Sequence, residues 1–405
     1  MTTSNATTGP LDVMETDKGE MIWQRFSVPF EFPVAFSEGL FDPENSLLIE
    51  TLALREVDKR HRCLVFIDEG VAKASPDLAA SIEAYAAAHA AHMSLATAPV
   101  IVAGGERIKT ELTHLESLQD LIHETHIDRH SYVIAIGGGA VLDAVGLAAA
   151  TAHRGVRLIR LPTTVLSQND SGVGVKNAVN LKGVKNYTGT FAPPWAVLND
   201  YDFITQLPAR ERIAGIAEAV KVALIRDGEF FKWLEANADN LATFEPAAEK
   251  HMIQHCARLH MRQIGTGGDP FEMGSARPLD YGHWSAHKLE AITRHHVNHG
   301  EAVAIGIALD ARYSVLAGLL PEGEDDRVVS LLEHLGFKIF HSGLKRRDRS
   351  GQSEIMKGLA DFREHLGGEL TITLLSSLGV GVEVHEIDDA KMVGAIDWLE
   401  AREGR

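Results

Sequence analysis

Between about residue 60 and residue 161, apolar runs alternate with amphipathic segments. The runs 63–68 (CLVFID), 100–103, 132–136 and 157–161 are short and mostly apolar, as strands buried on both faces are. Helical patterns separate them at 78–92, 115–124 and 141–152. Strands alternating with helices predict a parallel sheet covered on both sides. A strand-rich stretch around 23–36 leads into this region. Beyond residue 207 the spacing becomes helical, in segments near 210–225, 229–239, 247–263, 283–294 and 300–318. A late strand at 369–375 suits a small hairpin, and a last helix lies near 390–401. The expected organisation is a disordered leader over 1–20, an α/β Rossmann-like domain with a parallel sheet over 21–206, and a mainly α-helical C-terminal domain over 207–405.

A length of 405 residues suits two domains with full cores. The net charge of −17 argues against nucleic acid and acidic membranes as partners. Any bound anion must therefore meet a local cluster of cations. The first 20 residues are polar and acidic and lack the apolar core of a signal peptide. No run of about 18 apolar residues suggests a membrane span. Two cysteines, Cys63 and Cys256, are too few for a disulfide framework and suit a reducing, cytoplasmic compartment.

Candidate chemistry sits in two places. In VIAIGGGAVLDAVG, Gly137, Gly138 and Gly139 join a strand to a helix. Glycines there let a phosphate approach the backbone, and the helix N-terminus offers free N–H groups. The dinucleotide fingerprint is incomplete, because Leu142 stands where its third glycine would be. Asp143 could bind a cofactor hydroxyl or serve the first helical turn. Asp68, at a strand end, reads as a ribose ligand or as an ordinary loop acid. In the second half, His283, His287, His295, His296 and His299 fall within seventeen residues. His283 and His287 are four apart and share a helix face. Two imidazoles and a carboxylate leave an open position on a catalytic zinc. Glu218, inside the apolar segment GIAEAVK, is the candidate carboxylate, since a charge buried there needs a partner. His295 and His296 read as solvated side chains. Lys221 lies three residues after Glu218 and can face the same site.

The series GGGAVLDAVGLAAATAHRGV, LPTTVLSQNDSGVGVKN, VKNYTGTF, AGIAEAVK, DYGHWSAH and NHGEAVAIG resembles 3-dehydroquinate synthase, in the same order, over roughly residues 60–380. It also suits that enzyme's relatives, the sedoheptulose 7-phosphate cyclases. The run FREHLGGELTITLL looks most like the cyclase-like member of the Ebo gene clusters. The resemblance implies a lyase that closes a phosphorylated ketose into a carbocycle. Transient oxidation by NAD would acidify a C–H, phosphate would leave by elimination, and an intramolecular aldol would close the ring. The implied metal ligands are Glu218, His283 and His299, holding zinc, with cobalt as the alternative ion. The implied NAD contacts are Glu106, Lys109, the three glycines, Asp143, Thr163 and Thr164. Asp170, Lys176, Lys185, Asn186 and Lys221 resemble the polar groups around substrate, and His287 a histidine near its phosphate. Asp170, Lys176, Lys221 and His287 are the catalytic candidates. Arg154 matches an arginine that reaches a neighbouring subunit's site, implying a homodimer. On this reading 21–206 binds NAD, and 207–405 binds metal and substrate.

Three departures concern the substrate. Asp280 replaces the family's asparagine before the first metal histidine, and His260 falls where the quinate enzyme has a lysine. Arg277, the matching arginine, lies one residue nearer His283 than in the pattern. An anion for an amide and an imidazole for an ammonium disfavour a substrate carboxylate. A neutral-headed heptulose 7-phosphate is therefore the expected substrate, ahead of the acid-headed substrate of 3-dehydroquinate synthase itself. Two other classes compete. A metal-dependent polyol or glycerol phosphate dehydrogenase would release NADH stoichiometrically, whereas a cyclase recycles it. A non-catalytic sugar phosphate sensor would release no phosphate.

Overall fold

The computed structural model describes residues 12–403 apart from 17, 25, 183, 272–277 and 366–369. Its centre is a seven-stranded parallel sheet. Val34–Ser37, Ala196–Asp200, Arg157–Pro162, Tyr132–Gly137 and His61–Asp68 follow one another across it. Met93–Leu95 and Val100–Val102 share the remaining edge of His61–Asp68, the first pairing its start and the second its end. The strands 132–137 and 61–68 are buried along almost their whole length, which is why the sequence shows runs there rather than alternation. One face packs on Leu48, Ile82 and Tyr85. The other packs on Leu118, Ile122 and the small residues of the helix Gly139–Thr151.

The chain leaves His61–Asp68 toward one edge and returns on its other side as Tyr132–Gly137. Open parallel sheets bind ligands at such a reversal, outside the carboxyl ends of the strands. Asp68 and Gly137 close the two strands at that point. Several strands were not read from the sequence. Met93–Leu95 follows the helix Leu78–Ala88, which is shorter than expected. Ala196–Asp200 supplies a further strand. Lys176–Leu181 and Val184–Phe191 form a separate antiparallel ribbon, irregular in register near its turn.

The second half is helical. Ala209–Arg226 is buried continuously from Ala214 to Ile225 and packs against His299–Leu316. The late strand belongs to an antiparallel hairpin, Ile372–Ser377 with Val380–Val384. Across the end of the expected leader, Asp12–Thr16 pairs with Gly19–Trp23 as an antiparallel hairpin. Residues 1–11 lie outside the described residues. No helix among the described residues is long and apolar enough to cross a membrane.

Candidate active site

Three helices bring the expected metal ligands together. Glu218 lies in the middle of Ala209–Arg226, His283 begins His283–Ile292, and His299 begins His299–Leu316. The last helix starts at a fixed place because Asn298 and Glu301 bond reciprocally to each other's backbone N–H, both at 2.9 Å. Glu218 Oε1 lies 3.6 Å from His283 Nε2 and 3.5 Å from His299 Nε2. Donor atoms around a tetrahedral zinc at its usual bond lengths stand about 3.4 Å apart. The observed spacing therefore fits a divalent cation held by three ligands with a fourth position open. The remaining imidazole nitrogens are committed elsewhere. His283 Nδ1 lies 3.0 Å from the Tyr281 carbonyl, and His299 Nδ1 lies 3.1 Å from Glu290 Oε2. With Nδ1 as the donor to these acceptors, each Nε2 would be left to ligate a cation.

Charges continue outward from Glu218 in a chain. Lys221 pairs with Glu218 and donates to Asp170 Oδ2 at 2.9 Å. Asp170 Oδ1 in turn lies 2.7 Å from His260 Nδ1. Glu218 and Lys221 are 2% and 3% exposed. Burial opposes the Glu218 charge, but Lys221, His283 and His299 overcome it and hold the pKa well below the usual carboxylate range. Burial likewise opposes the Asp170 charge, and Lys221 and His260 outweigh it. Burial disfavours the Lys221 ammonium, yet its two carboxylate partners raise its pKa. Burial also works against the His299 charge, while bonds to Glu218 and Glu290 push its pKa up to about 9.

His287 stands beside both metal-site rings, 5.4 Å from His283 and 5.8 Å from His299 between centroids. Its side chain keeps solvent-accessible surface although protein packs closely around it. The protein packed around it, with His283 and Lys185, keeps its pKa well below the usual histidine value. Lys185 reaches across from the ribbon and lies 3.2 and 3.3 Å from the two oxygens of Glu290. Glu290 thus joins the ribbon to His299. The sequence reading missed it, although positions 283, 287 and 290 share one helix face.

The nucleotide side is built at the strand ends. The Thr163 N–H donates to the Gly137 carbonyl, and Thr164 caps the next helix through Ser167. A Cβ on Gly137 would lie 2.8 Å from Val141 Cβ, and one on Gly139 would lie 2.7 Å from Ser171 Oγ. The turn is therefore as close-packed as glycine permits. The Ser171 and Thr163 hydroxyls are buried without a hydrogen-bond partner among the described residues. Bare helix N–H groups and two unpaired hydroxyls fit the phosphates and sugars of a dinucleotide.

Lys109, 3% exposed, donates to Asp143 Oδ2 at 2.8 Å and to Asn186 Oδ1. Asn180 donates to Glu106 at 2.7 Å and accepts from the Asn186 N–H at 2.8 Å. Residues expected on cofactor and on substrate thus share one network, in which Asn180 was not foreseen. The Asp68 carboxylate accepts from the Gly70 N–H at 2.6 Å and caps the helix Glu69–Ala74. Lys176 opens the ribbon with an exposed side chain. Asp280 ends a short turn packed on Ala209–Arg226. Arg154 is exposed beyond the C-terminal end of Gly139–Thr151, about 20 Å from the glycine turn at 1.5 Å per residue. Arg277 lies outside the described residues.

Comparison with known proteins places this chain in one family. Residues 99–214 match the 3-dehydroquinate synthase N-terminal family, and residues 215–356 match its C-terminal family. A 3-dehydroquinate synthase of Halorhodospira halophila is 39% identical over 283 residues, covering 70% of this chain and 77% of its own. A 2-epi-5-epi-valiolone synthase of Streptomyces glaucescens is 33% identical over 379 residues, covering 93% and 92%. The solved structure of the 2-epi-5-epi-valiolone synthase from Streptomyces hygroscopicus subsp. jinggangensis, with NAD+ and Zn2+ bound, superposes with a TM-score of 0.81. It is 27% identical, over 94% of this chain and all of that one.

Proposed function

This chain belongs to the 3-dehydroquinate synthase family, and from that membership we propose that it cyclises a neutral-headed ketose phosphate of the heptulose 7-phosphate type. Glu218, His283 and His299 hold zinc, or cobalt in its place, and the glycine turn with Thr163, Thr164 and Asp143 holds NAD. When bound, the cation supplies Lewis acidity at the oxidised oxygen and the nicotinamide supplies a reversible hydride acceptor. Lys221 and Asp170 orient the substrate hydroxyls. His287, Lys185, Asn186 and Lys176 hold the phosphate, which takes the adjacent C–H proton as it leaves. Arg154 completes the site of a second copy in a homodimer. The buried free cysteines suit a cytoplasmic setting.

The observation that carries the substrate assignment is the His260–Asp170 pair. A substrate carboxylate needs a fixed cation, and the imidazole at this position is already engaged by a carboxylate at 2.7 Å. Asp280 ends a short turn packed on Ala209–Arg226, the helix that carries Lys221. Carboxylates accept hydrogen bonds from hydroxyls, so a polyol head suits this wall. The similarity to a valiolone synthase along nearly the whole chain supports the same reading. The test is phosphate release and product mass with zinc and NAD+ present. Sedoheptulose 7-phosphate is expected to turn over, and 3-deoxy-arabino-heptulosonate 7-phosphate is not. The reverse preference would overturn the assignment. NADH released one-for-one would instead favour a dehydrogenase.

A further inference from the structure

Asp310 is fully buried, and the chemistry above makes no use of it. It lies on His299–Leu316, the helix that begins with one metal-site histidine. Its Oδ1 accepts from Trp284 Nε1 at 2.9 Å, and its Oδ2 accepts from the Gly282 N–H at 3.1 Å. The two donors are the immediate neighbours of His283, one on each side. Among the described residues, the groups that act on this carboxylate are the Trp284 and Gly282 N–H groups rather than a cation. A buried carboxylate without a cation is costly, so what it contributes here is two acceptors for two buried N–H groups.

The backbones also meet at this point. Gly282 has φ +77°, and a Cβ on it would lie 2.9 Å from the Ile307 nitrogen. A Cβ on Gly306 would lie 2.0 Å from the Gly282 carbonyl oxygen. Gly306 is one helical turn before Asp310, and Tyr281 Oη donates to the Ile307 carbonyl at 3.2 Å. The turn that presents His283 is therefore pressed against the helix that presents His299. Direct contact sets their spacing, and the two bonds to Asp310 set the turn's rotation.

We propose that Asp310 is a positioning residue for the metal site, holding residues 282 and 284 so that His283 Nε2 meets Glu218 and His299 at ligand spacing. This rests on the metal assignment made above, and the experiment separates the two. The full-length protein is stripped with chelator and titrated with Co2+ at pH 8.5. Burial pushes the Asp310 pKa up to about 7, so the carboxylate is ionised there. The dissociation constant and the visible d–d absorption of the bound ion are measured for D310N, W284F, D310N/W284F and H283A.

In D310N an amide NH2 must face one of the two donors. Cobalt binding is expected to weaken about 10- to 100-fold, as when groups that orient a ligand are removed, with a changed d–d band. In D310N/W284F the competing indole N–H is gone, and the amide oxygen can serve Gly282. That double variant is expected to bind more tightly than D310N alone, which general loosening of the fold does not produce. Wild-type affinity and spectrum in D310N, or no recovery in the double variant, would overturn the proposal. Should D310N not fold, W284F decides: an unchanged band and affinity count against the proposal, and a shifted band supports it. If H283A also binds cobalt like the wild type, the metal assignment itself fails.

Discussion

Replacing Lys221 by methionine tests the charge chain at its centre. The ammonium sits between two carboxylates, paired with Glu218 and 2.9 Å from Asp170 Oδ2. At an effective dielectric of about 20, one unit-charge pair at that separation attracts by about 6 kcal/mol. Burying the lysine offsets much of this, and loss of one partner from a buried pair typically costs about 3–5 kcal/mol. Lys221→Met keeps the apolar stem and leaves Glu218 and Asp170 facing each other without the cation. The metal-free variant is therefore expected to lose about 3–5 kcal/mol of stability. A divalent ion at Glu218 replaces the missing positive charge, so zinc should recover more than half of the loss. The assay is urea unfolding of both proteins with and without excess zinc, extrapolated linearly to water. Two results would refute the reasoning. A loss below about 1 kcal/mol would mean the charges are better solvated than the geometry implies. An equal loss with and without zinc would mean that the ion does not bind Glu218.

Glu218→Ala, His283→Ala and His299→Ala should each abolish bound zinc, measured as metal per chain after gel filtration. His287→Ala should retain it, because the ligand atoms of Glu218, His283 and His299 converge without His287. Gly137→Ala places a methyl 2.8 Å from Val141 Cβ and 3.1 Å from Asp68 Cβ. It should weaken NAD+ binding at least about 10-fold by calorimetry, a 1.4 kcal/mol effect within the usual cost of overpacking, and leave zinc stoichiometry unchanged. Asp310 has its pKa raised from 3.8 to about 7 by burial, so the folded protein keeps a proton that the unfolded chain loses. Its contribution to stability is complete below about pH 4 and is lost as pH rises through about 7. Metal-free D310N should lack this fall, showing a stability–pH slope less negative by up to about 1.4 kcal/mol per unit between those limits.

Much of this protein could be read directly from the order of its residues. Strands such as Tyr132–Gly137 are covered on both faces, so they appear as unbroken apolar runs wherever they lie in the fold. The turn after Gly137 was visible because only glycine allows the approach of Val141 and Ser171. The pairing of His283 with His287 followed from helical spacing. Ala196–Asp200 was not legible: it is short and follows two prolines, and its place beside Val34–Ser37 depends on pairing across some 160 residues. The ribbon 176–191 carries lysines and asparagines whose partners lie elsewhere in the molecule, among them Lys109, Glu290 and Glu106. Asp170 meets His260 across ninety positions, and Asp310 meets Trp284 from a different helix. Local periodicity records which faces of an element are buried. Which polar group meets which is decided when the helices pack, because one residue's burial creates the need that another, far along the chain, fulfils.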